Sequence, residues 1–227
     1  ATYLVERHAH EILSREEVQI MINHAREAAP NAFSAAAVDH LPLSLAHQVL
    51  QGLLREGVPL RPFDRILEKL IDGAHRVADA PGLLALVRQS LAHPICVRLA
   101  GPDGVLVVRG LAPALEADLL GCIASGPFGA ELVLGQQERQ ALLVPVIAAC
   151  RAGGVALVVA PALRPHLQAL LAPELPGLHV LSDRELHPAV PLRRLAPVIR
   201  PLALTLDVRA GTGPRVQGSK EEEARPR

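Results

Sequence analysis

Histidine and cysteine are the residue types in this chain with the clearest potential for metal chemistry, and ten histidines and three cysteines occur among its 227 residues. His8 and His10 are two positions apart, so on a helix they point to different sides rather than toward one ion. The chain has no HExxH sequence, and no histidine lies beside a pair of cysteines. Because a metal site needs several ligands in one shell, the spacing predicts no metal site.

Motifs for nucleophilic chemistry and phosphate binding are missing as well. Ser125 lies in a glycine-rich stretch but outside any G-x-S-x-G sequence. Cys96 and Cys150 fall within apolar runs, where a thiol usually serves packing. Residues 126–135 contain no Gly-Lys-Ser/Thr, and no G-x-G-x-x-G follows a predicted strand. We therefore predict no catalytic residue and no cofactor, in a chain that is not an enzyme.

Composition restricts the partners and the compartment. The 23 basic and 23 acidic residues give a formal net charge of zero, which argues against nucleic-acid binding driven by overall charge. Only 2% of the residues are aromatic, too few for a base-stacking platform. Three widely spaced cysteines favour free thiols in a reducing cytosol. No apolar run approaches ~18 residues. The chain has no initial Met and no signal peptide, so we expect a piece of a longer protein.

The first part of the chain has the apolar spacing of helices. Ser14 and Glu17 form a capping-box pattern before one helix, and Asp79 is placed to cap another. Ser44 is predicted to cap the helix that follows it. These signals predict an all-helical subdomain over residues 14–94.

Beyond residue 94 short strands alternate with helices, which is typical of an α/β unit over residues 95–208. Residues 209–227 are rich in glycine, proline and charge, and we predict that they are disordered. The predicted fold class is α+β, with an N-terminal all-helical subdomain followed by a small α/β subdomain that contains a hairpin and a mixed sheet. Its predicted elements are hairpin strands Ile95–Leu99 and Val105–Val108, a helix after Pro113, a loop Ser125–Gly129, a helix Gln136–Cys150, a strand Val155–Val159, a helix Leu163–Leu171, a strand Leu178–Leu181, a loss of periodicity after Pro191 and an edge strand Leu202–Val208.

A cluster of mixed charge lies in the helical part. It has two interpretations, which the sequence leaves open: a solvated surface, as is usual for such clusters, or a polar interface between subunits, where arginine is favoured. Its members are Arg55, Glu56, Arg61, Asp64, Arg65 and Glu68.

Several segments together resemble the FHIPEP family of flagellar and injectisome export-gate proteins. They occur in the family's order, cover roughly residues 10–198, and are weak singly but specific together. Pro62 departs from the family pattern, which has Asp there, and Asp183-Arg184 stands in place of Tyr-Asn. The matching segments are LSREEVQ at 13–19, VLQGLLREGVPLR at 49–61, ILEKL at 66–70, DAPGLLALVR at 79–88, LRP at 163–165 and VLSDREL at 180–186.

The resemblance implies a domain layout and a set of partners. It implies that residues 1–13 are a helix from a preceding subdomain, 14–94 the third, ring-building subdomain, and 95–208 the fourth. The family's cytoplasmic domain forms a nonameric ring under the export channel and receives chaperone–substrate complexes, a gatekeeper protein and the ATPase stalk. This chain would then be part of the cytoplasmic domain of a bacterial inner-membrane protein, reaching the membrane only through the missing N-terminal domain. The segment 100–116 looks closer to the injectisome branch than to the flagellar one.

Two groups of residues are predicted to make contacts in such a ring. The predicted subunit-contact residues are Arg15, Glu16, Arg61, Asp64, Arg65 and Glu68. The predicted partner-binding residues are Arg164, Asp183, Arg184 and Glu185.

Two other functions are weighed against the docking ring. A small-molecule enzyme on the α/β unit would need a pocket joining the loop after Val159, which carries Arg164, to the loop after Leu181, which carries Asp183 and Glu185. A winged-helix-like nucleic-acid binder would use the arginines of the helical unit, but the acidic residues among them count against it.

Overall fold

The computed structural model describes residues 11–33, 38–61, 63–77, 79–126, 129–151, 154–201, 204 and 206. The predicted helix at residues 1–13 and the predicted disordered tail at 209–227 therefore lie mostly or wholly outside the described residues. Ile12 is helical, whereas Leu13 and Ser14 are not. The first half of the described chain contains the helices α1 (Arg15–Ala28), α2 (Leu43–Arg55), α3 (Phe63–Ala74), α4 (Ala80–Ser90) and α5 (Ala92–Leu99).

Side-chain caps define the starts of two of these helices. The Glu17 amide donates to Ser14 Oγ at 3.1 Å and the Ser14 amide donates to the Glu17 carboxylate at 2.6 Å, which confirms the capping box. The predicted Asp79 cap is also confirmed, since the Gly82 amide donates to Asp79 Oδ1 at 2.8 Å. The predicted Ser44 cap is wrong, because α2 already begins at Leu43.

The second half combines a parallel sheet with a separate antiparallel hairpin, so the predicted α+β class is confirmed. The sheet has the strand order β5-β4-β1-β6 with every neighbouring pair parallel, and β2 pairs with β3. The elements are β1 (Leu106–Leu111), α6 (Pro113–Gly121), β2 (Ile123–Gly126), β3 (Gly129–Leu132), α7 (Gln136–Cys150), β4 (Val155–Val159), α8 (Arg164–Leu171), β5 (Val180–Ser182), a 3-10 turn at Asp183–Glu185 and β6 (Leu192–Val198).

The predicted hairpin around the Gly101–Gly104 turn is wrong. Residues 95–99 belong to α5, in which Ala92, Ile95 and Cys96 are buried at the i, i+3, i+4 spacing of a helix. The turn itself exists: Gly104 has φ +73°, and its amide donates to the Gly101 carbonyl at 2.9 Å. It leads from a helix into β1, which pairs in parallel with β4 and β6. Burial thus outweighs the β-propensity of Ile95 to Leu99.

The actual hairpin lies where a loop was predicted at Ser125–Gly129. Ser125 pairs with Ala130 and Gly126 with Gly129 in the β2–β3 ladder. Gly129 has φ +122°, a conformation that favours glycine. The positive φ of Gly129 allows the chain to enter β3 in the reverse direction, although the two strands carry little apolar alternation.

Strand β6 was not predicted, because periodicity is lost after Pro191. Arg193 and Arg194 are exposed, and Pro197 has no backbone N–H to donate to a neighbouring strand. Charge and proline are typical of an edge strand that must not pair further. Backbone pairing with β1 forms this strand, and side-chain patterning does not reveal it. Leu204 and Leu206, from the predicted strand Leu202–Val208, are buried but not extended in a ladder, and the rest of that segment lies outside the described residues.

The sheet divides the apolar core into two clusters. Neighbouring residues of β4 face opposite sides, with Ala156 in the cluster formed by α1–α5 and Leu157 in the cluster formed with α6–α8. Leu106 on β1 is fully buried among the helices of the first half. One face of the sheet therefore completes the helical core. The division of the chain near residue 94 stays a prediction, and α5 runs across it.

Candidate functional site

A network of four charged side chains joins the helices to the α/β part, and we call it the charge clamp. Arg88 on α4 donates from Nη1 to the Glu56 carboxylate at 2.8 Å and from Nε to the Glu185 carboxylate at 2.6 Å. Arg164 at the start of α8 donates to both oxygens of Glu56 at 2.8 Å. Arg88, Arg164 and Glu185 are 1–3% exposed. Two positive charges thus balance two negative charges inside the protein.

The other polar groups of the charge clamp also have partners. The Ser182 amide donates to the second carboxylate oxygen of Glu185 at 2.7 Å, and Cys96 Sγ donates to the Glu185 carbonyl at 3.2 Å. Burial alone would lower the pKa of Arg164, but hydrogen bonds and charge from Glu56 outweigh it and raise that pKa above its ordinary value. The guanidinium therefore stays charged, and the charge clamp is a satisfied structural unit.

The charge clamp corrects the predicted partner-binding set. Arg164 and Glu185 do not present their charged groups on the surface, because those groups are used in the interior. Asp183 and Arg184 are exposed, so a partner-binding role for these two stays a prediction. Glu56, interpreted from the sequence as part of a charged surface cluster, is only 13% exposed and is used in the same network.

Arg88 is the member of this network that sequence reasoning missed. It lies four residues after Leu84 and three before Leu91, so it shares the inward stripe of α4. An arginine within an apolar stripe is the sequence signal for a buried ion pair, because a charge at such a position needs a partner. Glu56 follows α2 directly, and Gly57 at φ +70° allows the helix to end there.

The predicted subunit-contact residues are all exposed, but the structure brings only some of them together. Asp64, Arg65 and Glu68 lie on one face of α3 and line a shallow cavity of about 410 Å³ next to Phe33. Arg61 lines a different groove. Arg15 and Glu16 occupy the first turn of α1. Subunit contact by these six residues stays a prediction.

The enzyme hypothesis needs open polar groups where the parallel strands end. Of the three residues predicted for such a pocket, Arg164 and Glu185 are held in the charge clamp and only Asp183 is exposed, while Glu116 accepts from the Ala160 amide at 2.6 Å. Burial raises the pKa values of the Cys96 and Cys150 thiols, which makes both poor nucleophiles.

Within the described ranges no group of three or more histidine, cysteine, aspartate or glutamate residues could hold a metal ion. No helix there is long and apolar enough to cross a bilayer.

The model of the FHIPEP family matches residues 1–191. The chain belongs to the FHIPEP family. The flagellar biosynthesis protein FlhA of Proteus mirabilis is 35% identical over 185 residues, covering 81% of this chain, and FlhA of Escherichia coli strain K12 is 34% identical over 194 residues, also covering 81%. The chain spans only about a quarter of these FHIPEP relatives, 26% and 27% of their lengths.

Several solved structures share this fold. Nonameric EPEC SctV-C matches with a TM-score of 0.79 at 22% identity, covering 87% of this chain and 60% of that one. The Shigella flexneri MxiA protein matches with a TM-score of 0.76 at 22% identity, covering 86% and 65%. The Chlamydia pneumoniae CdsV and CdsO complex matches with a TM-score of 0.77 at 24% identity, covering 87% and 59%. The higher identities are with flagellar relatives, so the preference for the injectisome branch stays a prediction.

The stability of this FHIPEP chain should fall as the pH is lowered from 7 to 5. Burial first, and then the charges of Arg98 and Arg88, lower the pKa of His179, and burial also lowers the pKa of His166. The folded protein therefore keeps these rings neutral, whereas the unfolded chain takes up protons below about pH 6.5. Unfolding in urea at both pH values measures the loss. We expect His179→Gln to lose less stability over this interval than the parent chain, and an equal loss would contradict this.

Proposed function

We propose that this chain is part of the cytoplasmic docking ring of a type III protein export gate, which belongs to an inner-membrane protein of a bacterium. The observation that carries the proposal is the match to the FHIPEP family over residues 1–191. It is supported by the fold shared with nonameric SctV-C and with the nonameric EscV cytosolic domain of a type III secretion system. The ring would serve protein export and carry out no catalysis.

The mixed-charge face of α3 is the proposed subunit contact. Asp64, Arg65 and Glu68 are exposed on one face of this helix, and all three line the shallow cavity next to Phe33. Mixed charges at the rim of an interface set register and reject wrong pairings more than they add affinity. This suits a ring, in which identical neighbours must meet at one fixed angle.

The partners of the ring are proposed from its relatives. The structure of CdsV in complex with CdsO supports a protein partner for this chain. The resemblance adds the ATPase stalk, chaperone–substrate complexes and a gatekeeper protein as clients. Asp183 and Arg184, exposed after β5, are the residues proposed to contact such a partner.

Charge reversal on α3 should weaken self-association. Arg65→Glu would leave three acidic side chains, with Asp64 and Glu68, on the proposed contact face. We expect association at least about tenfold weaker, because a reversed charge would repel the group on the neighbouring subunit that Arg65 is proposed to attract. Light scattering over a range of protein concentrations measures the shift toward monomer.

Arg139→Glu is the matched control for this experiment. Arg139 is exposed on α7, away from α3, and its reversal changes the net charge by the same amount. Self-association that Arg65→Glu and Arg139→Glu reduce equally would show a general charge effect. A parent chain that stays monomeric at every concentration, or an Arg65→Glu variant identical to it, would count against the ring assignment of this face.

A further inference from the structure

An apolar groove of about 700 Å³ opens between α1, the end of α2 and the extended segment that leads to α3. Met21, Leu54, Leu60 and Phe63 line it, and none of them is fully buried. Gly57 at φ +70° and Pro59 hold the connecting segment out of a helix. The segment therefore forms one wall of the groove in extended form.

All charge in the lining of this groove is positive. Arg61 and Arg98 are its charged lining residues, and both are exposed. Arg98 donates from one Nη to the Gly57 carbonyl, which fixes the guanidinium at the rim and leaves its other donors available.

A smaller cavity of about 170 Å³ continues the groove. The two share Leu54, Gly57 and Arg98, and the smaller one adds Arg55. Its carboxylate, Glu56, is neutralised by two arginines in the charge clamp. The apolar groove is therefore bordered by positively charged arginine side chains.

We propose that this groove binds a short peptide segment of another protein, in which two or more apolar side chains stand next to one or more carboxylates. The apolar side chains would fill the groove against Met21 and Phe63, as anchors do at the centre of an interface. The carboxylates would pair with the guanidinium groups of Arg61 and Arg98, whose planar donors match a carboxylate. This inference concerns a site separate from the face of α3 and does not require a ring.

Selection from a random twelve-residue peptide library displayed on phage, against the immobilised chain, tests the proposal. We expect enriched peptides to combine apolar residues with Asp or Glu. A fluorescein-labelled synthetic copy of one enriched peptide, and the same peptide with Gln at each acidic position, then serve as probes in fluorescence anisotropy. Enrichment of peptides without acidic residues, or no enrichment, would overturn the proposal.

A cycle of variants locates the binding. Arg61→Gln/Arg98→Gln removes both charges but keeps amide donors, and should weaken binding of the acidic peptide about tenfold in all, because each of the two pairs lies at an exposed rim and contributes only a few-fold. The Gln peptide should bind the parent chain equally weakly and lose nothing further in the double variant. Met21→Ser should weaken the binding of both peptides, because it removes an apolar contact that both use. Arg76→Gln/Arg139→Gln removes two exposed arginines elsewhere and should leave binding unchanged.

Self-association of each variant is measured at the same concentrations, because Arg61 is also a predicted subunit-contact residue. If Met21→Ser and Arg61→Gln/Arg98→Gln reduce self-association while peptide affinity stays constant, a second copy of the chain fills the groove and the peptide proposal is wrong. Circular dichroism checks that each variant is folded. If Arg65→Glu loses self-association but still binds the peptide, the face of α3 and the groove are two separate binding surfaces.

Discussion

Arg88→Met should lower the free energy of unfolding by about 3–5 kcal/mol, the usual cost of removing one partner from a buried ion pair. Arg88 is 2% exposed and is the residue that contacts both Glu56 and Glu185. Without it, Glu185 would keep its bond to the Ser182 amide but lose its charged partner in a site that water does not reach. Urea unfolding followed by circular dichroism measures the effect.

An exposed ion pair provides the matched control. Arg193 donates to Asp103 at 3.0 Å, but the two side chains are 59% and 51% exposed. Arg193→Met should therefore cost less than about 1 kcal/mol. If Arg88→Met and Arg193→Met lower the free energy of unfolding by similar amounts, burial does not increase the contribution of the charge clamp to stability.

A double-variant cycle separates the ion pair from its surroundings. Glu185→Gln alone should destabilise the protein, because Arg88 keeps a buried charge with one partner fewer. Arg88→Met/Glu185→Gln should cost less than the sum of the single losses, because the second change removes the charge that the first left unpaired. Additive losses would contradict direct coupling between these two side chains.

Leu106→Ala should lower the free energy of unfolding by about 2–5 kcal/mol, the range for truncating a buried leucine. Leu106 belongs to β1 but is fully buried in the core cluster of the helices. Its truncation would leave a cavity shared by both halves of the chain. We expect one unfolding transition, shifted as a whole, because the inner face of the sheet is part of the helical core.

Two further variants make this test specific. Ile66→Ala truncates a fully buried residue of α3 in the same cluster and should shift the same single transition. Leu120→Ala truncates a leucine that is 37% exposed and should have a much smaller effect. Two separate transitions, with Leu106→Ala affecting only one of them, would show instead that the halves fold independently near the predicted boundary at residue 94.

Structural features that depend on residues close together in the sequence were predictable, whereas those that depend on pairing between distant segments were not. Ser14 with Glu17, and Asp79 before its helix, were predictable because a cap involves atoms three residues apart. Strand β4 was predictable because a run of five apolar residues fits a strand buried on both faces. Strand β6 was not, since an edge strand with exposed arginines is formed by its hydrogen bonds to β1.

The failure at Ile95–Leu99 has the same physical origin. A β-prone run of five residues has no strong preference of its own that could resist packing. Ile95 and Cys96 gain burial against the other helices only when the segment is helical. The local pattern was therefore compatible with either structure, and the neighbouring helices decided between them.

The sequence by itself determined the fold class, the family and the absence of recognisable catalytic motifs, because these depend on residue types and on spacings within one element or segment. Only the tertiary structure decided which charges are internal. Glu56, Arg88, Arg164 and Glu185 lie up to 129 positions apart in the chain, and although Arg88 stands within an apolar stripe, no spacing in the sequence identifies its partners. Their pairing depends on distances between elements, and a buried charge is tolerated only where folding brings its partner within hydrogen-bonding reach.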